Sequence, residues 1–472
     1  MKLIIAIFTF HLLASFACAA NKSNVLFIAA DDLRNDLGCL GNPEVLSPHL
    51  DSLAIRGRLF TSAYCQQAVC NPSRASLMTG LRPDTLQIWD LPTHFRDVVP
   101  EVVTLPQHFM NHSYFTQNIG KIYHNWRQKI QGDPTSWSVP AQMHFANHGS
   151  DKPQVEGPLP PNFAHDKKCE CRDVSDDAYF DGRVATLAIE ALRQRKASEQ
   201  PFFLAVGFWK PHSPFNAPKK YWDLYDRSKL LPPANPEWPK DAPRIAWHNS
   251  REILGSPQPR KLTSEAVMEL RHGYLAAISY FDAQVGRLLA ELDALGLRDN
   301  TIVVFWSDHG YHLGEQTLWA KTSNFELDAG VPLIFSTPGM KQPGVKTDAL
   351  AELLDMYPTL AELCKLPKPP DNEGISLVQV LDDPNATVQQ AAYTQHPRPA
   401  YIDKIPEVMG RSVRTVRYRY TEWRDFETGK FMASELYDHD NDPLETVNVV
   451  KDPANAAAIT ECQRLYVIGF AK

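Results

Sequence analysis

The stretch Cys70-Asn71-Pro72-Ser73-Arg74-Ala75-Ser76-Leu77-Met78-Thr79-Gly80 pairs a nucleophile with a way to activate it. Proline suits the first turn of a helix, so Pro72 predicts that Cys70 sits just before a helix N-terminus, where free N–H groups and the helix dipole favour an anion. A thiol there is expected to have a lowered pKa. Asp31-Asp32 and Asp308-His309 each close an apolar run. Their three carboxylates, if gathered, are hard oxygen ligands suited to calcium or magnesium rather than a soft metal. Lys121-x-x-His124, Lys210-Pro211-His212 and Lys321-x-Ser323-Asn324-Phe325-Glu326 add cations that could stabilise anionic charge and imidazoles that could carry a proton. Taken singly these residues are ordinary: an Asp-Asp pair often caps a turn, a lone lysine is usually solvated, and a histidine is often packed in a core.

The elements that must position them make the difference. Asn24–Ala30 reads as a buried strand ending at Asp31-Asp32, and Thr301–Trp306 as another ending at Ser307-Asp308-His309-Gly310. Pro201–Trp209 ends at Lys210-Pro211-His212, and a weaker strand, Ser113–Ile119, leads to Gly120-Lys121-Ile122-Tyr123-His124. Four strands thus carry their polar residues just past their C-terminal ends, where open α/β sheets place ligands. Between them, Val267, Leu270, Tyr274, Ile278, Phe281, Val285, Leu288, Leu292 and Leu295 recur at helical spacing as a core stripe, and a helix is expected over Asp176–Arg195 with Ser175 as N-cap. Turn formers from Leu366 to Gly374 mark a break, and beyond Asn385 the chain is dense in aromatics and arginine, with Arg414–Thr421 alternating as a strand. The expected organisation is a catalytic α/β unit over 21–384 and a smaller α+β subdomain over 385–472.

Composition narrows the partners. The 472 residues are 43% hydrophobic and carry a net charge of only -7, so neither nucleic acid nor an anionic membrane surface is favoured. Residues 1–20, with Lys2, an apolar run from Leu3 to Ala14 and the small residues Ala17-Cys18-Ala19-Ala20, read as a signal peptide for export. No later stretch is apolar enough to span a membrane. Apart from Cys18 there are seven cysteines; if Cys70 is consumed chemically, six remain, which permits disulfides without assigning them.

Cys70-x-Pro72-Ser73-Arg74 followed by Leu77-x-Thr79-Gly80 resembles the signature of the formylglycine-dependent sulfatases. The resemblance runs from about Asn24 to Asn448. It is most specific to the iduronate-2-sulfatase branch at Phe208–Phe215, at Leu318–Phe335 and from Met409 to Trp423, while Glu435–Glu445 closes the general pattern. It implies an alkaline-phosphatase-like fold: a large mixed sheet between helices with a small C-terminal sheet subdomain. It further implies that a maturation enzyme oxidises Cys70 to formylglycine, whose hydrate attacks sulfur with one hydroxyl and uses the other to expel sulfate. Asp31, Asp32, Asp308, His309 and residue 70 would hold one calcium, His309 weakly because imidazole suits a hard cation poorly. Arg74 would fix the hydrate, Lys121 and Lys321 would clamp sulfate, His124 would orient or deprotonate the hydrate, and His212 would protonate the leaving sugar oxygen, with the two histidine roles exchangeable. The implied substrate is a sulfated carbohydrate. Tyr311-His312 departs from the iduronate pattern, so the ring and position attacked do not carry over. Hydrolysis of phosphorus esters and non-catalytic sugar binding on the same scaffold are the rival readings.

Overall fold

The computed structural model describes residues 22–144, 168–256, 259–401 and 405–470; the expected signal peptide lies outside them. The strands of the main sheet are β1 (Asn24–Asp31), β2 (Arg58–Tyr64), β3 (Phe115–Gly120), β4 (Phe202–Pro211), β5 (Thr301–Ser307), β6 (Gly330–Ser336) and β7 (Ala351–Glu352). They lie in the order β7-β2-β6-β5-β1-β4-β3. Strands β5, β1, β4 and the edge strand β3 run parallel, whereas β6 is antiparallel to both neighbours, which makes the sheet mixed.

β1 is buried along its whole length because both faces of the sheet are covered. Leu26, Ile28 and Ala30 enter one apolar core, while Val25, Phe27 and Ala29 enter the other. Helix α1 (Cys70–Thr79) packs on the second face through Ala75, Leu77 and Met78. Helices α2 (Phe180–Lys196) and α4 (Ser264–Ala294) cover the first; a short helix α3 (Arg251–Leu254) lies between them in the chain. The predicted stripe on α4 faces the core from Leu270 to Leu292.

Two expectations change. The helix predicted from Asp176 is broken: Asp176–Ala178 forms a 3-10 turn, Tyr179 is extended, and α2 starts at Phe180. The Tyr280 hydroxyl explains the break, since it donates to the Asp176 carbonyl at 2.9 Å and accepts from the Gly182 N–H at 2.6 Å, taking the groups a continuous helix would have used; Ser175 makes no side-chain cap. The strand predicted over Arg414–Thr421 is instead a hairpin joining β9 (Val408–Arg414) to β10 (Tyr418–Asp425), closed where the Thr415 N–H donates to the Tyr418 carbonyl at 2.9 Å. With β8 (Ala392–Arg398) and β11 (Phe431–Asp438) these strands form a four-stranded antiparallel sheet, on which α5 (Ala456–Phe470) packs. The seven cysteines among the described residues form no disulfide.

Candidate active site

The parallel strands end level with one another. Ala30 pairs with Ser307, Asp31 with Pro211 and Gly120 with Gly207, so the residues that follow, Asp32, Asp308, His212 and Lys121, leave the sheet at one edge. Gly207 permits the tightest approach: its carbonyl accepts from the Lys121 N–H at 2.8 Å, and a Cβ at 207 would stand 1.9 Å from the Lys121 carbonyl oxygen. Asp32 takes a left-handed φ of 64°, with its N–H on Asp308 Oδ1 at 3.2 Å. Ala320 and Thr322, the neighbours of Lys321, also have positive φ, and such strain clusters where side chains are held for function.

Cys70 opens α1 as its first residue rather than preceding it. Its Sγ lies 3.4 Å from His309 Nε2, 3.7 Å from Asp31 Oδ1 and 3.7 Å from Lys121 Nζ. Arg74, one turn on, is fully buried and spends its fork on fixed partners: Asp308 Oδ2 at 2.8 Å, Asp31 Oδ1 at 3.2 Å and the carbonyls of Ala30, Lys121 and Ile122. Lys121 Nζ is paired with Asp31 Oδ2. Lys321 Nζ lies 3.0 and 2.8 Å from the two oxygens of Asp32. His212 Nε2 is 3.8 Å from Asp32 Oδ2. His124 is buried and follows Ile122, whose carbonyl Arg74 binds, by two residues in the chain.

The electrostatics correct one prediction. Burial pushes the Cys70 thiol well above its ordinary value, and Asp31 and Asp308 add to this against Lys121 and Lys321, so the helix start does not yield a low-pKa thiolate. Burial also raises Asp31, but Lys121, His212 and Arg74 outweigh it and hold that carboxyl well below the usual range. Asp32 goes the other way: burial raises it, only Lys321 opposes strongly, and Glu252, Asp31 and Asp308 push it further up. His212 and His309 are both lowered, first by burial. Each ring has Nδ1 against a backbone carbonyl, Ser213 at 2.6 Å and Gly310 at 3.0 Å respectively. A carbonyl only accepts, so Nδ1 carries the proton in both and the Nε2 lone pairs face the site.

A cation fits this arrangement. Asp31, Asp32, Cys70 and His309 each offer a ligand atom within 4.8 Å of the others. Four buried or half-buried carboxylates, Asp31, Asp32, Asp308 and Glu252, are ion-paired with three cations, Arg74, Lys121 and Lys321, and Asp32 is raised because burial, with its acidic neighbours, outweighs Lys321. One divalent ion would turn the surroundings net positive, ready for an anionic ester.

Sequence reading missed Glu252. It lies in α3 with no motif around it, yet its Oε2 is 2.8 Å from Lys321 Nζ and its Oε1 accepts from Ser213 Oγ and Tyr311 Oη at 3.2 Å each. Glu252 also lines a cavity of about 290 Å³ beside Cys70, walled by Val69, Trp89, Trp126, Arg127, Arg251 and Tyr401. Arg127 lies over the Trp126 ring at 4.3 Å and Arg251 over the Tyr401 ring at 5.3 Å. Apart from Arg251, which opens the short helix α3, these wall residues lie outside regular elements, which is why no periodicity pointed to them.

Residues 23–366 match the Sulfatase family, and residues 314–466 match the family described as N-sulphoglucosamine sulphohydrolase, C-terminal. The chain is 35% identical to iduronate 2-sulfatase of Homo sapiens, covering 91% of each chain. It is 31% identical to a sulfatase of Formosa agariphila, covering 91% of this chain and 83% of that one. Among solved structures, one determined in complex with its substrate D-glucosamine-2-N,6-O-disulfate superposes with a TM-score of 0.76 at 22% identity, over 94% of this chain and 97% of that chain. The phosphonate monoester hydrolase of Agrobacterium radiobacter does so with a TM-score of 0.76 at 23% identity, over 94% and 95%.

Proposed function

Because the chain belongs to the sulfatase family, and so is a sulfuric ester hydrolase, we propose that it removes sulfate from a sulfated sugar or polysaccharide, using Cys70 matured to formylglycine and one calcium. The observation that carries this reading is the meeting of four strand ends around Cys70, which gathers the acidic ligands and the lysines paired with them in one place. Asp31, Asp32, Asp308 and His309 would hold the calcium, which when bound supplies positive charge against the sulfate oxygens and the nucleophile. Formylglycine supplies, as its hydrate, a hydroxyl nucleophile in place of the thiol.

The chain's own groups account for the rest. Arg74, locked on five acceptors, fixes the turn that presents residue 70. Lys121 and Lys321 oppose the charge that grows on the sulfuryl oxygens, in a site that burial keeps poor in water. His212 presents Nε2 to the site; burial lowers its pKa and favours the neutral ring at rest, so Nε2 takes up a proton before passing it to the leaving sugar oxygen. His124 orients or deprotonates the hydrate. The cavity's aromatic faces and two guanidinium groups suit a sugar that carries negative charge. Tyr311, fully buried behind Glu252 and bonded to it, is where the chain departs from the iduronate pattern. Ala400 and Tyr401 bring the C-terminal subdomain, which we place at 385–472 against a catalytic unit at 21–384, to the cavity rim. We read residues 1–20 as the export leader; among the described residues no helix is long and apolar enough to cross a membrane.

Comparing turnover of matched sulfate and phosphate aryl esters, followed by a panel of sulfated saccharides, tests the proposal. Preference for sulfate esters and release of sulfate from at least one saccharide are expected. Preference for the phosphate ester would transfer the site to phosphorus chemistry, and binding of saccharides without any release would favour a non-catalytic scaffold.

A further inference from the structure

We propose that Glu252 is a positioning residue that takes up the Lys321 ammonium when a cation enters the strand-end site, and so frees Asp32 to act as a ligand. The inference rests on the calcium reading above. Lys321 Nζ spans two carboxylates: both oxygens of Asp32, at 3.0 and 2.8 Å, and Oε2 of Glu252, at 2.8 Å. A carboxylate with both oxygens on an ammonium has little left to offer a metal, and a divalent ion on Asp32 would repel that ammonium. Lys321 is buried, so it cannot retreat into water, and a buried charge without a partner is costly. Glu252 resolves the conflict. Its Oε1 is fixed by the hydroxyls of Ser213 and Tyr311, which leaves Oε2 to hold the ammonium alone.

Lys121 shows what the site looks like without such a device. Its carboxylate partner is Asp31 Oδ2, and its further contacts are Cys70 Sγ at 3.7 Å and the Trp209 ring at 5.0 Å. Among the described residues Asp31 is the one carboxylate in ion-pair contact with Lys121, which stays on one of its oxygens and leaves Oδ1 toward Cys70 and Arg74. Asp31 and Asp32 thus become ligands by different routes, one by sharing its two oxygens and the other by handing its lysine on.

The test is calorimetric titration of calcium chloride into chelator-stripped wild type and Glu252→Gln, with thermal unfolding in excess chelator alongside. Glu252→Gln should bind calcium about tenfold more weakly or worse, the usual size of an outer-partner effect on metal affinity, while unfolding in chelator within a few degrees of wild type. Its kcat should recover in part as calcium is raised, with KM for a small aryl sulfate little changed, which a merely structural role would not produce. Equal calcium affinity in the two proteins would overturn the inference and leave the sulfatase reading standing. Failure of wild type to bind calcium would instead remove the calcium reading and this inference with it. Should Glu252→Gln not fold, Tyr311→Phe, which loosens only Oε1, decides the matter: a several-fold loss of affinity supports the inference and none overturns it.

Discussion

Glu326, Glu445 and His439 also place three potential ligand atoms within 4.8 Å of one another, as the strand-end residues do, and on that count the two clusters look alike. Their cations separate them. Between the two sheets, Arg414 Nε lies 3.0 Å from Glu326 Oε2, and Arg419 bridges Glu326 and Glu445, the latter at 3.0 Å. Arg414 also reaches His439 Nδ1 at 3.0 Å, and Tyr64 of β2 donates to Glu326 Oε1 at 2.9 Å. Planar guanidinium forks satisfy these acceptors in fixed geometry and pin the small sheet to the large one. At the strand ends Arg74 does similar fixing, but two acceptors are held by lysines, single charges on flexible stems that can be shared or handed on. The lesson is that a cluster of acidic and imidazole groups is a clasp when arginines saturate it and a candidate site when lysines and a cavity border it.

If this contrast is right, changes at the strand ends should cost turnover and changes at the clasp should cost stability. Cys70→Ala makes the largest difference: turnover of an aryl sulfate should fall by on the order of 10⁴-fold or more, while the far-ultraviolet dichroism and unfolding midpoint stay close to wild type. Retained activity would remove Cys70 from the mechanism. Arg419→Met should do the reverse. It strips a buried partner from two carboxylates and should lower unfolding free energy by about 3–5 kcal/mol, measured by denaturant, with kcat of the folded fraction little altered. A drop in kcat without a drop in stability would erase the distinction between the regions.

His212→Ala sharpens the assignment within the site. With a sugar sulfate, whose leaving oxygen needs a proton, kcat should fall about a hundredfold or more, but with an activated aryl sulfate the loss should be far smaller. An equal loss on both substrates would move the acid role to His124.

The smallest effect is a pH dependence in the small sheet. Burial pushes Glu435 up to about 7, against hydrogen bonds from Trp423 and Tyr437. The folded chain therefore keeps a proton there that the unfolded chain releases above its ordinary 4.5. Its contribution to stability is fully present below 4.5 and is lost as pH rises through 7, with a slope of at most about 1.4 kcal/mol per unit. Glu435→Gln should flatten unfolding free energy over that window without changing turnover; an unchanged slope would deny Glu435 this role.

Much of the site was legible because the parallel strands end level: Asp31, Asp308, Lys121 and His212 each follow an apolar run, and equal run ends at one sheet edge imply one location. Cys70 and Arg74 were legible through the run Cys70-x-Pro72-Ser73-Arg74, which resembles the sulfatase signature, with Pro72 marking the helix start. Other features depend on tertiary packing. Nothing local to Cys70 tells that burial overrides the helix start and raises its pKa, nothing around Asp176 tells that Tyr280 will break the helix, and Glu252 sits in a four-residue helix where no period can form. The alternation at Arg414–Thr421 reads as a strand because the turn at Thr415 uses a hydroxyl in place of glycine or proline.

The most direct measurement is the mass of the tryptic peptide Leu59–Arg74, which contains Cys70, from protein made in its native or a maturation-competent host and shown to release sulfate. The account predicts an aldehyde at residue 70, trapped by a hydrazine reagent, with Cys65 unmodified. A free thiol at residue 70 in protein that still turns over sulfate esters would contradict it.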